Sequence, residues 1–195
     1  MHERGREGAR RAKIWLEATT RARVHWVNPD AVAIAMLTYN WNDGTEFSFD
    51  IGGVLQGGEK HSEHFLAEVK NYSNASDQGN HFDEFLAKCY CTRKQNVQMS
   101  GNFIFFTWSP FRANKRSSQC SIETIEEALI KHREKALGIT AVDEAQKILA
   151  TERDTLKDIA NSLMIVVVSE KQEKHLVMSE EYLGVIRKYA TEKAD

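Results

Sequence analysis

The sequence lacks most of the features that mark secreted, membrane-bound or zinc-stabilised proteins. It has only three cysteines, and the Cys89-x-Cys91 pair has no second cysteine or histidine pair at zinc-binding spacing. No apolar run approaches the roughly 18 residues needed to cross a bilayer, and the basic N-terminus is not followed by the hydrophobic region of a signal peptide. We therefore interpret the cysteines as buried or idle thiols, and expect a soluble, cytoplasmic protein without membrane association.

Acidic residues are absent from one long segment of the chain. The net charge is only −2, yet residues 31–84 carry nine acids and two basic residues, whereas residues 85–122 carry six basic residues and no acid. A polyanion can approach the second segment without repulsion from carboxylates. The acidic segment, by contrast, is where a cation could bind. This division favours a protein that combines a metal site with a phosphate-binding surface.

Two apolar segments, residues 46–51 and 64–70, are separated by a loop rich in glycine and polar residues. Two such runs joined by such a loop predict an antiparallel hairpin. If the loop is centred near Glu59, Asp50 lies opposite Glu68. The sequence therefore predicts two carboxylates on neighbouring strands.

A cationic side chain shares the face of the second carboxylate. Side chains alternate along a strand, so Glu68 and Lys70 point to one face and Val69 points to the other. Two acids held this close are unfavourable unless a cation lies between them, and hard oxygen ligands suit Mg²⁺ completed by water and substrate phosphate. We therefore predict a Mg²⁺ site at Asp50 and Glu68.

An Asp on one strand followed by Glu-x-Lys on the next resembles the active-site motif of the PD-(D/E)XK phosphodiesterases, the restriction-endonuclease-like nuclease superfamily. The resemblance implies that Asp50 and Glu68 bind the metal together with the backbone carbonyl of Val69. It also implies that Lys70 orients and activates the attacking water and stabilises the charge that develops on phosphorus. Glu68-Val69-Lys70 is the only Glu-x-Lys in the chain. The alternative is a surface strand whose outer face carries a Glu/Lys pair.

The hydrophobic periodicity predicts the order of elements found in that superfamily. We expect a helix over 4–19, strands over 31–39, 46–51 and 64–70, a helix over 80–93 and a buried strand over 102–108. Helix, three-strand antiparallel meander, helix and strand is the core order of the restriction-endonuclease-like fold. The predicted fold class is therefore α/β with this core.

The pattern after residue 120 is mostly helical. We expect helices over 121–137, 141–161 and 179–191, a strand over 163–168 and a short strand over 176–178. With 195 residues and 42% hydrophobic content, the chain can form one sizeable core. We therefore predict a nuclease core over 1–120 and a C-terminal helical and β extension over 121–195 packed on the same domain.

Two further residues are tentative members of the site. Gln78 followed by Phe82 resembles the Gln-x-x-x-Tyr of some exonuclease-like members, with Phe in place of Tyr; the alternative is a glutamine at a helix start with no role. Many relatives carry a metal-assisting Glu on the first helix, where this chain has Ala9, and the nearest acid is Glu7. An acid near a helix N-terminus is favourable without any catalytic role, which is the alternative for Glu7.

Basic residues flank the aromatic side chains Trp108 and Phe111. Basic groups beside aromatic rings suit contacts with nucleic acid, since the rings can stack on bases of a single strand. A solvated loop beside a core strand has the same composition and is the alternative. The candidate nucleic-acid-binding residues are Arg93, Lys94, Arg112, Lys115 and Arg116.

The resemblance implies a Mg²⁺-dependent nuclease, with Mn²⁺ as a substitute, DNA favoured over RNA and endonucleolytic cleavage favoured. The chain shows no helix-turn-helix or zinc finger, so specificity would come from structure recognition, a homodimer or a partner protein. The alternative is a catalytically silent nucleic-acid-binding or assembly subunit that keeps the nuclease fold.

Overall fold

The protein is an α/β protein with a mixed five-stranded sheet, as seen in a computed structural model that describes residues 2–71, 77–112, 118–177 and 180–192. The helices are α1 (His2–Thr19), α2 (Ala31–Leu37), α3 (Gln78–Gln95), α4 (Ile122–Lys131), α5 (Arg133–Leu137), α6 (Val142–Thr151), α7 (Arg153–Ser162), α8 (Glu170–Leu176) and α9 (Glu180–Glu192). The strands are β1 (Ala22–Val27), β2 (Thr38–Asn40), β3 (Glu46–Ser48), β4 (Ile51–Leu55), β5 (His64–Lys70), β6 (Asn102–Thr107) and β7 (Leu163–Val167).

The large sheet has the strand order β1-β4-β5-β6-β7, and β2 and β3 form a separate two-stranded sheet. The strands β1, β4 and β5 are antiparallel neighbours, whereas β6 runs parallel to β5 and β7 runs parallel to β6. A parallel pair needs a long crossover connection, and α3 provides it between β5 and β6. The central strands are thereby covered on both faces, which explains why β6 is continuously apolar.

Side-chain alternation along β5 divides the core into two clusters, one on each face of the sheet. Phe65, Ala67 and Val69 belong to the cluster that contains the apolar side of α1, while Leu66 belongs to the cluster on the α3 side. Because Glu68 has the same parity as Leu66, its side chain points toward α3. The face that carries the predicted carboxylate is therefore the face covered by α3.

The strand predicted over 31–39 is wrong, because this segment forms α2 and only its end contributes to β2. Its alanines, methionine and leucine are good helix formers, and the buried Ala33 and Leu37 are four residues apart, on one side of a helix. The first strand of the antiparallel meander is instead β1, in which buried Ala22 and Val24 alternate with exposed residues. The meander exists, but it begins with a strand that the sequence analysis did not predict.

The strand predicted over 46–51 is divided between two sheets. The N–H of Phe49 donates to the carbonyl of Leu37 at 3.0 Å, whereas the next N–H, of Asp50, donates to the carbonyl of Ala67 at 2.9 Å. Consecutive backbone amides therefore bond to different partners, and the chain passes here from the β2–β3 sheet to the edge of β4. Asp50 lies at this junction, immediately before β4.

The C-terminal part shares the sheet and the core with the preceding residues. The strand predicted over 163–168 is confirmed as β7, and apolar side chains of α4 and α7 join the core cluster on the α3 side. The predicted long helices are interrupted at His132 and Glu152. The short strand predicted over 176–178 is wrong at Leu176, which ends α8, a helix whose start is fixed by a capping box at Ser169; Met178 lies outside the described residues. Among the described residues, no helix is long and apolar enough to cross a membrane.

Candidate active site

The backbone register of β4 and β5 places Asp50 beside the Glu-x-Lys segment. The ladder ends at the pair Ile51 and Ala67, which has the register that the sequence predicted, and Asp50 lies one residue beyond this pair, as does Glu68 on β5. The N–H of Asp50 donates to Ala67, and the Oδ2 atom of Asp50 accepts a 2.7 Å hydrogen bond from the N–H of Val69. The side chain of Asp50 is thus fixed against β5 by the backbone of the motif itself.

Two lysines bind the carboxylate of Glu68. The Nζ atom of Lys70 lies 2.7 Å from Oε1, and the Nζ atom of Lys88 lies 3.0 Å from Oε2. Lys88 also donates to the backbone carbonyl of Ser48 at 3.2 Å. Both lysine side chains are largely buried, with exposed fractions of 14% for Lys70 and 11% for Lys88. Both oxygens of Glu68 therefore interact with ammonium groups in a water-poor setting.

Lys88, which reaches the site from α3, was not among the site residues predicted from the sequence. Lys88 lies within the buried stretch of α3, between Ala87 and Cys89 and three residues after Phe85. A lysine surrounded by positions of the apolar face is an unusual arrangement, because lysine is almost never fully buried without a partner. That mismatch is the sequence signal that could have indicated a buried ion pair.

The two carboxyl groups have opposite pKa shifts. Burial and repulsion from Glu68 raise the pKa of Asp50 to about 7, against the opposing effects of the Val69 N–H and the two lysines. Burial also acts to raise the pKa of Glu68, but the ammonium groups of Lys88 and Lys70 outweigh it and lower the pKa. Glu68 is therefore ionised at neutral pH, while Asp50 exchanges its proton in that range.

The donor atoms at this position fit a hard divalent cation. They are the carboxylates of Asp50 and Glu68 and the backbone carbonyl of Val69, the residue whose N–H donates to Asp50. Over the described ranges of the chain, no group of three or more His, Cys, Asp or Glu side chains comes together to bind a metal. Two carboxylates and a carbonyl, completed by water, are the type of ligand set used for Mg²⁺.

Gln78 lies at the same end of β5 as Lys70. It is fully buried as the first residue of α3, and its Oε1 accepts a 2.8 Å hydrogen bond from the hydroxyl of Thr107, which is paired with Lys70 across the parallel strands. Its Nε2 atom is buried, and none of the residues that the structure describes forms a hydrogen bond with it. Glu7, in contrast, is exposed on α1, which packs on the opposite face of the sheet. The structure therefore brings Gln78 near the motif and leaves Glu7 on the surface of α1.

A histidine that the sequence analysis did not single out also lies near the motif. His81 is seven residues before Lys88, so the two side chains share a face of α3. Burial and the positive charge of Lys70 lower the pKa of His81, while Glu68 is among the acids that act in the other direction. His81 is therefore mainly uncharged at neutral pH and is near the two charged residues of the motif.

Two of the candidate nucleic-acid-binding residues, Arg93 and Lys94, lie in the last turn of α3. Arg93 donates to the hydroxyl of Ser162 at 3.0 Å, and Lys94 forms a 2.8 Å ion pair with Glu152. These contacts hold α3 against α7 and the junction that precedes it. Both side chains are therefore engaged by contacts within the protein.

Arg112 is also engaged by the protein itself. It forms a 2.5 Å ion pair with Asp83, which also binds Lys131 at 2.9 Å. The remaining candidates, Lys115 and Arg116, lie outside the described residues. A phosphate-binding role for these basic residues remains a prediction.

Comparisons with protein-family models, with curated proteins and with solved structures each found no match. What the protein does is therefore inferred from its own residues. The feature that carries most chemical information is the group formed by Asp50, Glu68, Lys70 and Lys88.

Proposed function

We propose that this protein is a metal-dependent nuclease that hydrolyses phosphodiester bonds of nucleic acid, with DNA as the favoured substrate. The observation that carries the proposal is the convergence of Asp50, Glu68 and Lys70, which come from two neighbouring strands, in one largely buried volume. Ion pairs this close and this poorly solvated are costly to build, and perturbed carboxyl groups of this type concentrate at functional sites.

The arrangement of elements supports a restriction-endonuclease-like fold. A first helix is followed by the antiparallel strands β1, β4 and β5, then by α3 and the parallel strand β6. The segment with α2, β2 and β3 is an insertion between the first two strands of this meander. The Asp lies immediately before the second strand and the Glu-x-Lys lies on the third, an order that resembles the PD-(D/E)XK motif.

Asp50, Glu68 and the carbonyl of Val69 are the residues that would hold Mg²⁺ or Mn²⁺. A bound divalent ion lowers the pKa of a water ligand and neutralises charge on a scissile phosphate. Two features of the chain favour cation binding. The lysines keep Glu68 ionised, and the Val69 N–H orients the carboxylate of Asp50. Since the proton of Asp50 must leave before a cation can bind there, binding strengthens as the pH rises toward 8.

Lys70 is the residue that orients the attacking water. Its ammonium group is fixed 2.7 Å from Oε1 of Glu68, beside the carboxylates, and its side chain remains partly accessible. An ammonium group at this position donates a hydrogen bond to a nucleophilic water and stabilises the negative charge that grows on the phosphoryl oxygens. Its contribution is made mainly in the transition state, so it affects turnover more than binding.

One observation favours the second candidate, a catalytically silent nucleic-acid-binding or assembly subunit. Asp50 and Glu68 are already matched in charge by Lys70 and Lys88, so the network can persist as a buried ionic cluster without a metal. A subunit of this kind would bind nucleic acid or a partner protein without cleaving it.

Cleavage assays separate the two candidates. Purified protein is incubated with linear and closed-circular DNA, single-stranded DNA and RNA, in Mg²⁺, Mn²⁺ or EDTA, alongside Asp50→Asn and a matched surface variant, Glu59→Gln. A nuclease cleaves in Mg²⁺ and Mn²⁺ but not in EDTA, retains activity in Glu59→Gln and loses it in Asp50→Asn. Cleavage of closed circles identifies an endonuclease. Binding without cleavage of any substrate supports the silent subunit.

A further inference from the structure

The ammonium group of Lys88 lies between oxygen atoms of the protein, on the side of Glu68 that faces α3. Its ammonium group lies 3.0 Å from Oε2 of Glu68 and 3.2 Å from the backbone carbonyl of Ser48. It also lies 5.9 Å from the centre of the Phe47 ring, over its face. The ammonium group is therefore surrounded by two oxygen atoms and an aromatic ring, with little access to solvent.

Many phosphodiesterases bind two divalent ions about 3.5–4 Å apart, with carboxylates between them. In this chain the Oε2 atom of Glu68, which such a second ion would need, is bound by Lys88. We propose that Lys88 supplies from the chain itself the positive charge that a second ion supplies elsewhere, so that the site binds a single divalent ion. This inference rests on the proposed metal site at Asp50 and Glu68.

The charges of the site support a single ion. Two carboxylates, Asp50 and Glu68, face two ammonium groups, Lys70 and Lys88, so the metal-free site is balanced when both acids are ionised. One divalent ion would give the site a net positive charge, which suits a phosphate. A second ion would add two more positive charges beside buried ammonium groups, and the part of the chain that the structure describes offers no third carboxylate there.

The two lysines therefore have different roles. Lys70 binds Oε1 of Glu68, belongs to the strand that carries the motif and is the more exposed of the two. Lys88 binds Oε2 from α3, where the surrounding residues are buried. Lys88 is a positioning residue, because it holds the carboxylate and excludes a competing cation without access to substrate.

The test is a count of bound Mn²⁺ ions in the full chain at pH 8 without nucleic acid, by electron paramagnetic resonance of free and bound Mn²⁺. The wild type is expected to bind one ion per chain, with the spectrum of an isolated Mn²⁺. Lys88→Met frees Oε2 of Glu68 and the Ser48 carbonyl, and is expected to bind two ions with the spectrum of a coupled pair. Lys88→Arg keeps the charge and is expected to bind one ion.

Two coupled ions in the wild type, or a single ion of unchanged affinity in a folded Lys88→Met variant, overturn the role of Lys88 and leave the metal site standing. If the wild type binds no Mn²⁺, both this inference and the proposed metal-dependent function are wrong. Circular dichroism checks folding of each variant. Lys88→Gln replaces Lys88→Met if the methionine variant does not fold: its polar side chain is compatible with the buried carboxylate but supplies no positive charge, and two bound ions are again expected.

Discussion

The carboxylate of Asp50 accepts a 2.7 Å hydrogen bond from the backbone N–H of Val69, the residue between Glu68 and Lys70. This bond continues the β4–β5 ladder by one step after the regular pairing ends at Ile51 and Ala67. It uses one oxygen of Asp50 and fixes the orientation of the other. The stability of the site and its chemistry therefore depend on the same few contacts. Unfolding experiments test the stability, and cleavage assays test the chemistry.

Asp50→Asn is expected to stabilise the metal-free protein at pH 8. The pKa of Asp50 is raised in the folded state to about 7, so its ionisation opposes folding above that pH, and the cost disappears as the pH falls from 7 toward 4. Asparagine can still accept the Val69 hydrogen bond but carries no charge. We expect a gain of up to about 4 kcal/mol at pH 8 and almost none at pH 4, measured by urea unfolding in EDTA. A gain of equal size at both pH values contradicts the pKa shift.

Glu68→Gln is expected to destabilise the protein. The substitution leaves the buried ammonium groups of Lys70 and Lys88 without their carboxylate, and breaking a buried ion pair from one side costs about 3–5 kcal/mol. Urea unfolding at pH 7 gives the free energy, with the exposed Glu59→Gln as the matched control. Equal stability of Glu68→Gln and wild type would show that water, rather than the carboxylate, solvates these lysines.

Lys70→Met is expected to lower single-turnover cleavage by about 10²–10⁴-fold, the usual contribution of a group that positions a proton or a water. Binding of nucleic acid in Ca²⁺, measured by filter binding, should change little, because the lysine acts mainly in the transition state. The control is Lys147→Met, which removes an exposed lysine of α6 that is not a candidate binding residue. Unchanged turnover in Lys70→Met means that the Glu/Lys pair only stabilises the strand.

Lys115→Ser with Arg116→Ser is expected to weaken binding of all sequences to a similar extent. The slope of log affinity against log salt should become flatter by up to about 0.9 for each lost phosphate contact with duplex DNA, or about 0.7 with single strands. The matched variant is Arg6→Ser with Arg10→Ser, which removes two exposed arginines of α1. A change of slope only in the α1 variant would place the phosphate surface on α1 instead of the acid-free segment.

The local pattern of the sequence was sufficient for the elements whose partners lie next to them in the chain. The alternation in residues 64–70, the glycine-rich loop before them and the continuously apolar run at 102–108 predicted β5, β6 and the register of the β4–β5 hairpin, which pairs Ile51 with Ala67. A hairpin register depends mainly on loop length and on which face is buried, and both can be read from consecutive residues.

Only the tertiary structure decided where β1 and α2 are and which lysine completes the site. The segment 31–37 is apolar at both helical and strand spacing, and it becomes a helix because Ala33 and Leu37 pack together while the residues between them stay exposed. Lys88 binds Glu68, a residue 20 positions earlier, because α3 crosses over that face of β5. Periodicity identifies which side of an element is buried. It does not specify which side chains of other elements pack against the buried side, since these contacts depend on how the whole chain packs.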